Sequence, residues 1–202
     1  MNSANHVISS LKKLLPLTSF WALLFFATTQ QASAQKVRLG LKVAPTLAWL
    51  KSNSTEISSD GAKAGFTYGV ISDFYFSENY AFSSGLDIVY KGGSLKAGSL
   101  EAVKYDLQCL EIPLMLKMRT NQIGHFLYFG QFGLAGSVKL KSNEDVNPLG
   151  LSLLIGAGLE VPFSGKTAFV SGLTFHNGFT DVIPGEYKAI SNYVALNLGI
   201  LF

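Results

Sequence analysis

From residue 36 onward, apolar side chains recur at every second position over long stretches, which is the period of a strand with two different faces and not that of a helix. The run Lys36 to Trp49 puts Val37, Leu39, Leu41 and Val43 on one face and Arg38, Gly40, Lys42 and Ala44 on the other. Gly65 to Phe76 sets Phe66, Tyr68, Val70, Phe74 and Phe76 against Thr67, Gly69, Asp73 and Tyr75. Tyr80 to Lys91 sets Tyr80, Phe82, Leu86, Ile88 and Tyr90 against Ala81, Ser83, Gly85, Asp87 and Lys91. The same alternation fills Lys104 to Arg119, His125 to Leu140 and Gly150 to Phe163. It is least regular in Lys166 to Asn177, where Phe169, Leu173 and Phe175 are assigned outward. It returns in a last run that sets Val194, Leu196, Leu198, Ile200 and Phe202 against Tyr193, Ala195, Asn197, Gly199 and Leu201. Eight strands are predicted.

A water-soluble sandwich or a lipocalin-like barrel would turn the apolar face inward, and alternation alone permits that. Two features favour the reverse. The second face is rich in Gly, Ala and Ser with scattered charges of both signs, which suits a crowded narrow lumen. The apolar face carries Phe74, Phe76, Tyr80, Phe82, Phe163 and Phe202 near strand ends, where aromatic girdles lie at a membrane interface. Connections alternate as well. Polar stretches at Ser52–Lys63, Gly92–Val103, Lys141–Pro148 and Gly178–Ser191 read as long loops, whereas Ser77–Asn79, Thr120–Gly124 and Ser164–Gly165 read as tight turns. The expected fold class is all-β: an eight-stranded antiparallel up-and-down transmembrane β-barrel, closed so that no sheet edge faces lipid. An even strand number puts both chain ends on the periplasmic side and the longer loops outside.

The segment before the first strand fits this destination. Lys12 and Lys13 precede an apolar block, Leu14 to Ala27, and small residues follow at Ala32, Ser33 and Ala34. That is the form of a secretory signal peptide over residues 1–34, cut before Gln35, with the barrel domain spanning 35–202. Without its two lysines the chain carries 14 Lys and Arg against 13 Asp and Glu, a balance that gives no electrostatic case for a nucleic-acid partner. The single cysteine, Cys109, stands between Leu107 and Leu110 and reads as a small packed residue,.

Candidate chemistry concentrates on the inward face. Arg38, Lys42, Lys91, Lys117 and Arg119 oppose Asp73, Asp87, Glu111 and Glu160, and an eight-stranded barrel is only wide enough for side chains to fill. A mutually paired lumenal network is therefore expected, with a polar solute site or narrow proton path as the functional alternative. A lipid-modifying enzyme built into the barrel would need a nucleophile and base. His125 is expected beside a periplasmic turn and His176 beside an external loop, on opposite rims; His176 with Asp181 and Ser171 is the one conceivable set. Two separated histidines and one cysteine make a poor metal site. Asn53-Ser54-Thr55 matches a glycosylation pattern but reads as polar loop, and Gly92-Gly93 lacks the context of a phosphate loop,. No cofactor is expected.

The segment Leu110-Glu111-Ile112-Pro113-Leu114-Met115-Leu116-Lys117 resembles the L-E-I-P-L-L-L-K strand of the PorT-like outer-membrane β-barrel family, found mainly in Bacteroidetes. Tyr128-Phe129-Gly130-Gln131-Phe132-Gly133-Leu134, Gly156-Ala157-Gly158-Leu159-Glu160 and the early strand Leu39-Gly40-Leu41-Lys42 support the likeness. It implies a small barrel in the outer membrane of a Gram-negative cell envelope, in contact with outer-membrane lipid. One branch resembles a component of the type IX secretion system, so accessory contact with secretion-system or other cell-envelope proteins is an alternative. No functional residue is carried over from the family. The expected role is non-enzymatic, a structural or interaction protein working through its external loops.

Overall fold

The structure is a computed structural model that describes residues 36–52, 57–97, 102–142, 146–165, 167–182 and 189–202. The expected signal peptide and Asn53-Ser54-Thr55 lie outside the described residues. Eight strands follow in chain order: β1 Lys36–Ser52, β2 Ile57–Tyr75, β3 Tyr80–Ala97, β4 Val103–Arg119, β5 Leu127–Ser142, β6 Leu149–Ser164, β7 Thr167–Gly178 and β8 Ala189–Leu201. Each pairs antiparallel with its sequence neighbours, and β8 closes on β1.

The stagger of that closure fixes the barrel's dimensions. Stepping through paired residues from Leu39 leads to Ser72, Ser84, Leu114, Leu134, Leu153, Asn177, Asn192 and back to β1 at Trp49. The circuit returns ten residues further along β1, from 39 to 49. Eight strands with that stagger tilt by about 40° to the axis, given about 3.3 Å of rise per residue and about 4.8 Å between strands. Such a lumen is filled by side chains.

The alternation read from the sequence corresponds to the two sides of this wall. Leu39, Leu41, Val43 and Leu47 on β1, Phe66, Tyr68, Val70 and Phe74 on β2, and Ile112 and Leu114 on β4 are exposed, and the other strands continue the same surface around the circumference. Leu41 is 60% and Phe163 85% exposed, a continuous apolar surface far beyond what a soluble monomer shows to water. From Phe66 to Phe76 the wall rises roughly 25 Å along the axis, the height of the apolar band of an outer-membrane barrel. Aromatic side chains mark both edges. Tyr68 contacts both Phe66 and Tyr90 at the loop end, and Phe76–Tyr80 and Phe126–Tyr128 pair at the turn end.

The structure corrects the loop lengths. The polar stretches Ser52–Lys63 and Gly92–Val103 are mostly strand, because β2 begins at Ile57 and β3 continues to Ala97. β2 is 19 residues long, about 48 Å of barrel height at that tilt, nearly twice the apolar band. Above the apolar band the outward face meets water, so the backbone ladder continues while outward apolar side chains give way to polar ones such as Lys96 and Lys104,. Connections at that end reduce to 53–56, 98–102, 143–148 and 179–188. His125, expected to open the fifth strand, sits in the 120–126 turn between the bridged Ile123 and Phe126.

Candidate functional site: the ion-paired lumen

Inward positions bring the nine charged residues into two clusters. In the cluster nearer the turns, Glu160 of β6 accepts from Arg38 of β1 at 2.7 Å and forms an ion pair with Lys117 of β4 at 2.5 Å, with Arg119 at 3.8 Å. Lys117 also meets Asp73 of β2 at 2.7 Å, and Ser83 donates to the same carboxylate at 2.6 Å. The cations rest on rings as well: Lys117 Nζ stands 4.6 Å from the Phe129 centroid and the Arg119 guanidinium 4.4 Å from that of Tyr75. These pairs join strands that are not neighbours, tying β1 to β6 and β4 to both β2 and β6.

The second cluster lies toward the loops. Asp87 and Glu111 are direct partners across β3 and β4, an arrangement of like charges that is unfavourable unless each is compensated. Lys42 reaches Asp87 at 2.7 Å and Lys91 reaches Glu111 at 2.6 Å. Tyr193 of β8 donates its hydroxyl to Glu111 at 2.6 Å. His176 stacks on the Tyr193 ring with centroids 3.9 Å apart, and its Nδ1 lies 3.8 Å from Glu111. Glu111 is 1% exposed and Glu160 0%, so both carboxylates depend on their partners for solvation.

Two glycines make the reach possible. Lys42 must cross β2 at Gly69, its register partner, to find Asp87 on β3; a Cβ at Gly69 would collide with the Asp87 carboxylate and the Leu86 carbonyl. Gly158 lies over the edge of Phe129, where a Cβ would stand 2.6 Å from the ring's Cζ. The Gly156-Ala157-Gly158 run therefore admits the ring that carries Lys117.

Between the clusters is a cavity of about 40 Å³ lined by Lys42, Ser83, Met115, Gln131, Thr174 and Asn197, room for about one water molecule. Toward the loops the lumen ends in apolar packing: Leu50 with Leu95 and Ala189, and Leu107 with Cys109 and Val146. Val146 belongs to the 143–148 connection, whose Asn147 amide donates to Val182 O at 2.8 Å. Two external connections thus lie together over the mouth. Cys109 is packed in this layer, as its surroundings in sequence suggested.

His176 is where the sequence reading errs. It is not a rim residue but a buried inward one, 7% exposed, in the loop-end cluster. Ser171 sits at an odd position of β7 between Leu159 and Leu198, on the opposite face from His176, and the Asp181 carbonyl accepts from Asn147. The His176, Asp181 and Ser171 set is not assembled. The signal was present: with Phe169, Leu173 and Phe175 outward, position 176 has inward parity. Tyr193 has inward parity too, and the structure adds what alternation does not supply, its partner Glu111.

Comparison with known proteins agrees with this architecture. Residues 29–184 match the family model described as outer membrane protein beta-barrel domain. The crystal structure of Neisserial surface protein A aligns with a TM-score of 0.55 at 14% identity, covering 82% of this chain and 95% of that one. Ail, the attachment invasion locus protein of Yersinia pestis, in complex with sucrose octasulfate, aligns at 0.47 and 14%, covering 82% and 99%. The N-terminal barrel domain of Pseudomonas aeruginosa OprF aligns at 0.39 and 15%, covering 78% and 96%. At these identities the likeness to Neisserial surface protein A speaks to fold alone. No curated protein matches the chain. With more than half of the sequence matched and the barrel closed, the chain belongs to the outer membrane protein beta-barrel domain family and resides in the bacterial outer membrane.

Proposed function

We propose that this protein is a non-enzymatic interaction protein of the outer membrane, of the PorT-like kind, that presents its external connections on a rigid, filled barrel. The observation that carries the reading is the lumen itself. Its inward charges are engaged with one another across the barrel, and apolar side chains close its loop end. A wall held in this way suits a scaffold, and binding residues on scaffolds concentrate in the loops. The reading includes export: residues 1–34 act as a signal peptide and the mature chain starts at Gln35, which N-terminal sequencing of the membrane-extracted protein tests.

The functional test is site-specific photo-crosslinking in intact cells. Probes at 54, 99, 145 and 185, one in each external connection, are expected to give discrete protein adducts that probes at outward wall positions Leu114 and Leu134 do not. Adducts confined to the wall would overturn the reading. Release of fatty acid or transfer of an acyl chain when the purified barrel is mixed with phospholipid would replace it with a barrel-embedded enzyme. Adducts made up of outer-membrane secretion proteins would narrow the role to an accessory subunit of a secretion system.

A further inference from the structure

The extension of the strands above the apolar band carries a charge pattern unlike the rest of the wall. Lys51 on β1, Lys63 on β2, Lys96 on β3, Lys104 on β4 and Lys141 on β5 are all accessible on five consecutive strands. The carboxylate of Asp106 accompanies them and pairs with Lys63. Lys51 lies two residues beyond Trp49, and Lys141 one residue beyond Leu140, so the lysines begin where the apolar band ends. Amines at that depth sit among the headgroups of the outer leaflet.

Within this arc the wall is indented. The register shifts between Ser59 and Phe66 on β2 and between Gln108 and Cys109 on β4, and bulges bend a wall and leave a local recess. A groove of about 320 Å³ results, with Lys63, Tyr90, Asp106, Gln108 and Lys141 on its walls. Gln108 donates to the Tyr90 hydroxyl at 3.1 Å, and Tyr90 stacks on Tyr68 of the aromatic edge with centroids 6.3 Å apart. The groove therefore has an apolar, aromatic floor at membrane level and amines and hydrogen-bond donors above it.

We infer that this groove is a binding site for the phosphate-bearing headgroup of an anionic outer-leaflet lipid, with Lys63 and Lys141 facing the phosphate and Tyr90 and Gln108 bounding the groove beneath it. The occupant follows from position and charge together. A free anion would meet the lysines but leave the aromatic floor unused. A lipid places acyl chains along Phe66, Tyr68 and Tyr90 and its anionic group at the amines, where a surface lysine raises affinity for anionic lipid about fivefold. This site is on the barrel wall and is independent of whether the external connections bind a protein.

Native mass spectrometry of the barrel released from detergent tests it, using phosphatidic acid and phosphatidylcholine with identical acyl chains. The wild-type protein is expected to retain phosphatidic acid preferentially, and Lys63→Gln with Lys141→Gln to lower that affinity about 25-fold, two lysines at the same fivefold each. Lys36→Gln at the turn end serves as the charge control and is expected to leave binding unchanged. Equal retention of the two lipids, an equal loss in the control, or displacement of phosphatidic acid by inorganic phosphate at matched concentration would each overturn the proposal. A heat-modifiable gel shift confirms that each variant is folded, and if the double variant fails to fold, the single Lys141→Gln, with an expected loss of about fivefold, decides the matter.

Discussion

Replacing Glu111 by alanine tests the lumen most sharply. Glu111 is 1% exposed and receives Lys91 at 2.6 Å and the Tyr193 hydroxyl at 2.6 Å. Its removal leaves the Lys91 ammonium buried without its carboxylate, 5.0 Å from the Tyr193 ring centroid. Breaking a buried pair on one side costs about 3–5 kcal/mol, whereas replacing both partners with apolar residues of like volume is often neutral or stabilising. Glu111→Ala should therefore destabilise the barrel by about 3–5 kcal/mol, and Glu111→Leu with Lys91→Met by far less. The assay is urea unfolding in detergent micelles, followed by the fluorescence of Trp49 and by electrophoresis without boiling. Trp49 stacks on Phe175 at 6.2 Å outside the cluster, so it reports unfolding without touching the altered site. A cost below about 1 kcal/mol for Glu111→Ala, the value of a solvent-exposed pair, would refute the reasoning.

Three further outcomes follow from the geometry. Leu114→Arg places a charge on the lipid side of β4, where Leu114 is 48% exposed, and should cost about 2–4 kcal/mol in lipid vesicles, measured by the same unfolding titration. Gly158→Ala drives a methyl against Phe129 and the Ser171 carbonyl and should cost about 1–3 kcal/mol, with Phe129→Leu in the same chain recovering part of the loss. Planar-bilayer recording of the purified protein should show no stable channel steps, because the lumen contains paired side chains and a cavity of about 40 Å³ where a pore would need continuous water,.

Most of the barrel was legible because lipid on one side and a packed lumen on the other impose period two along each strand. The strand number, the faces and the inward parity of Arg38, Asp73, Glu111 and Glu160 all come from that constraint. The constraint ends where the wall leaves the membrane, and there the pattern misleads: Ile57 to Ala64 and Gly92 to Ala97 hold one large apolar residue each, Ile57 and Leu95, so strand there looks like loop. His176 is missed for a different reason. Its strand mixes Ala168 and Val170 with polar residues on the inward face, which blurs the contrast between faces. Which carboxylate meets which cation was not legible at all, since Arg38 with Glu160 is set by the ten-residue stagger across the lumen and not by spacing along the chain.

The central claim is the direction of the two faces, and single cysteines introduced in a Cys109→Ser background test it most directly. In outer-membrane preparations, cysteines at Ile112, Leu114 and Leu134 should react with a lipid-soluble maleimide, while those at Met115 and Ala135 should not. The opposite pattern, with Met115 and Ala135 labelled and the Ile112, Leu114 and Leu134 positions protected, would make the apolar face a core and contradict the account.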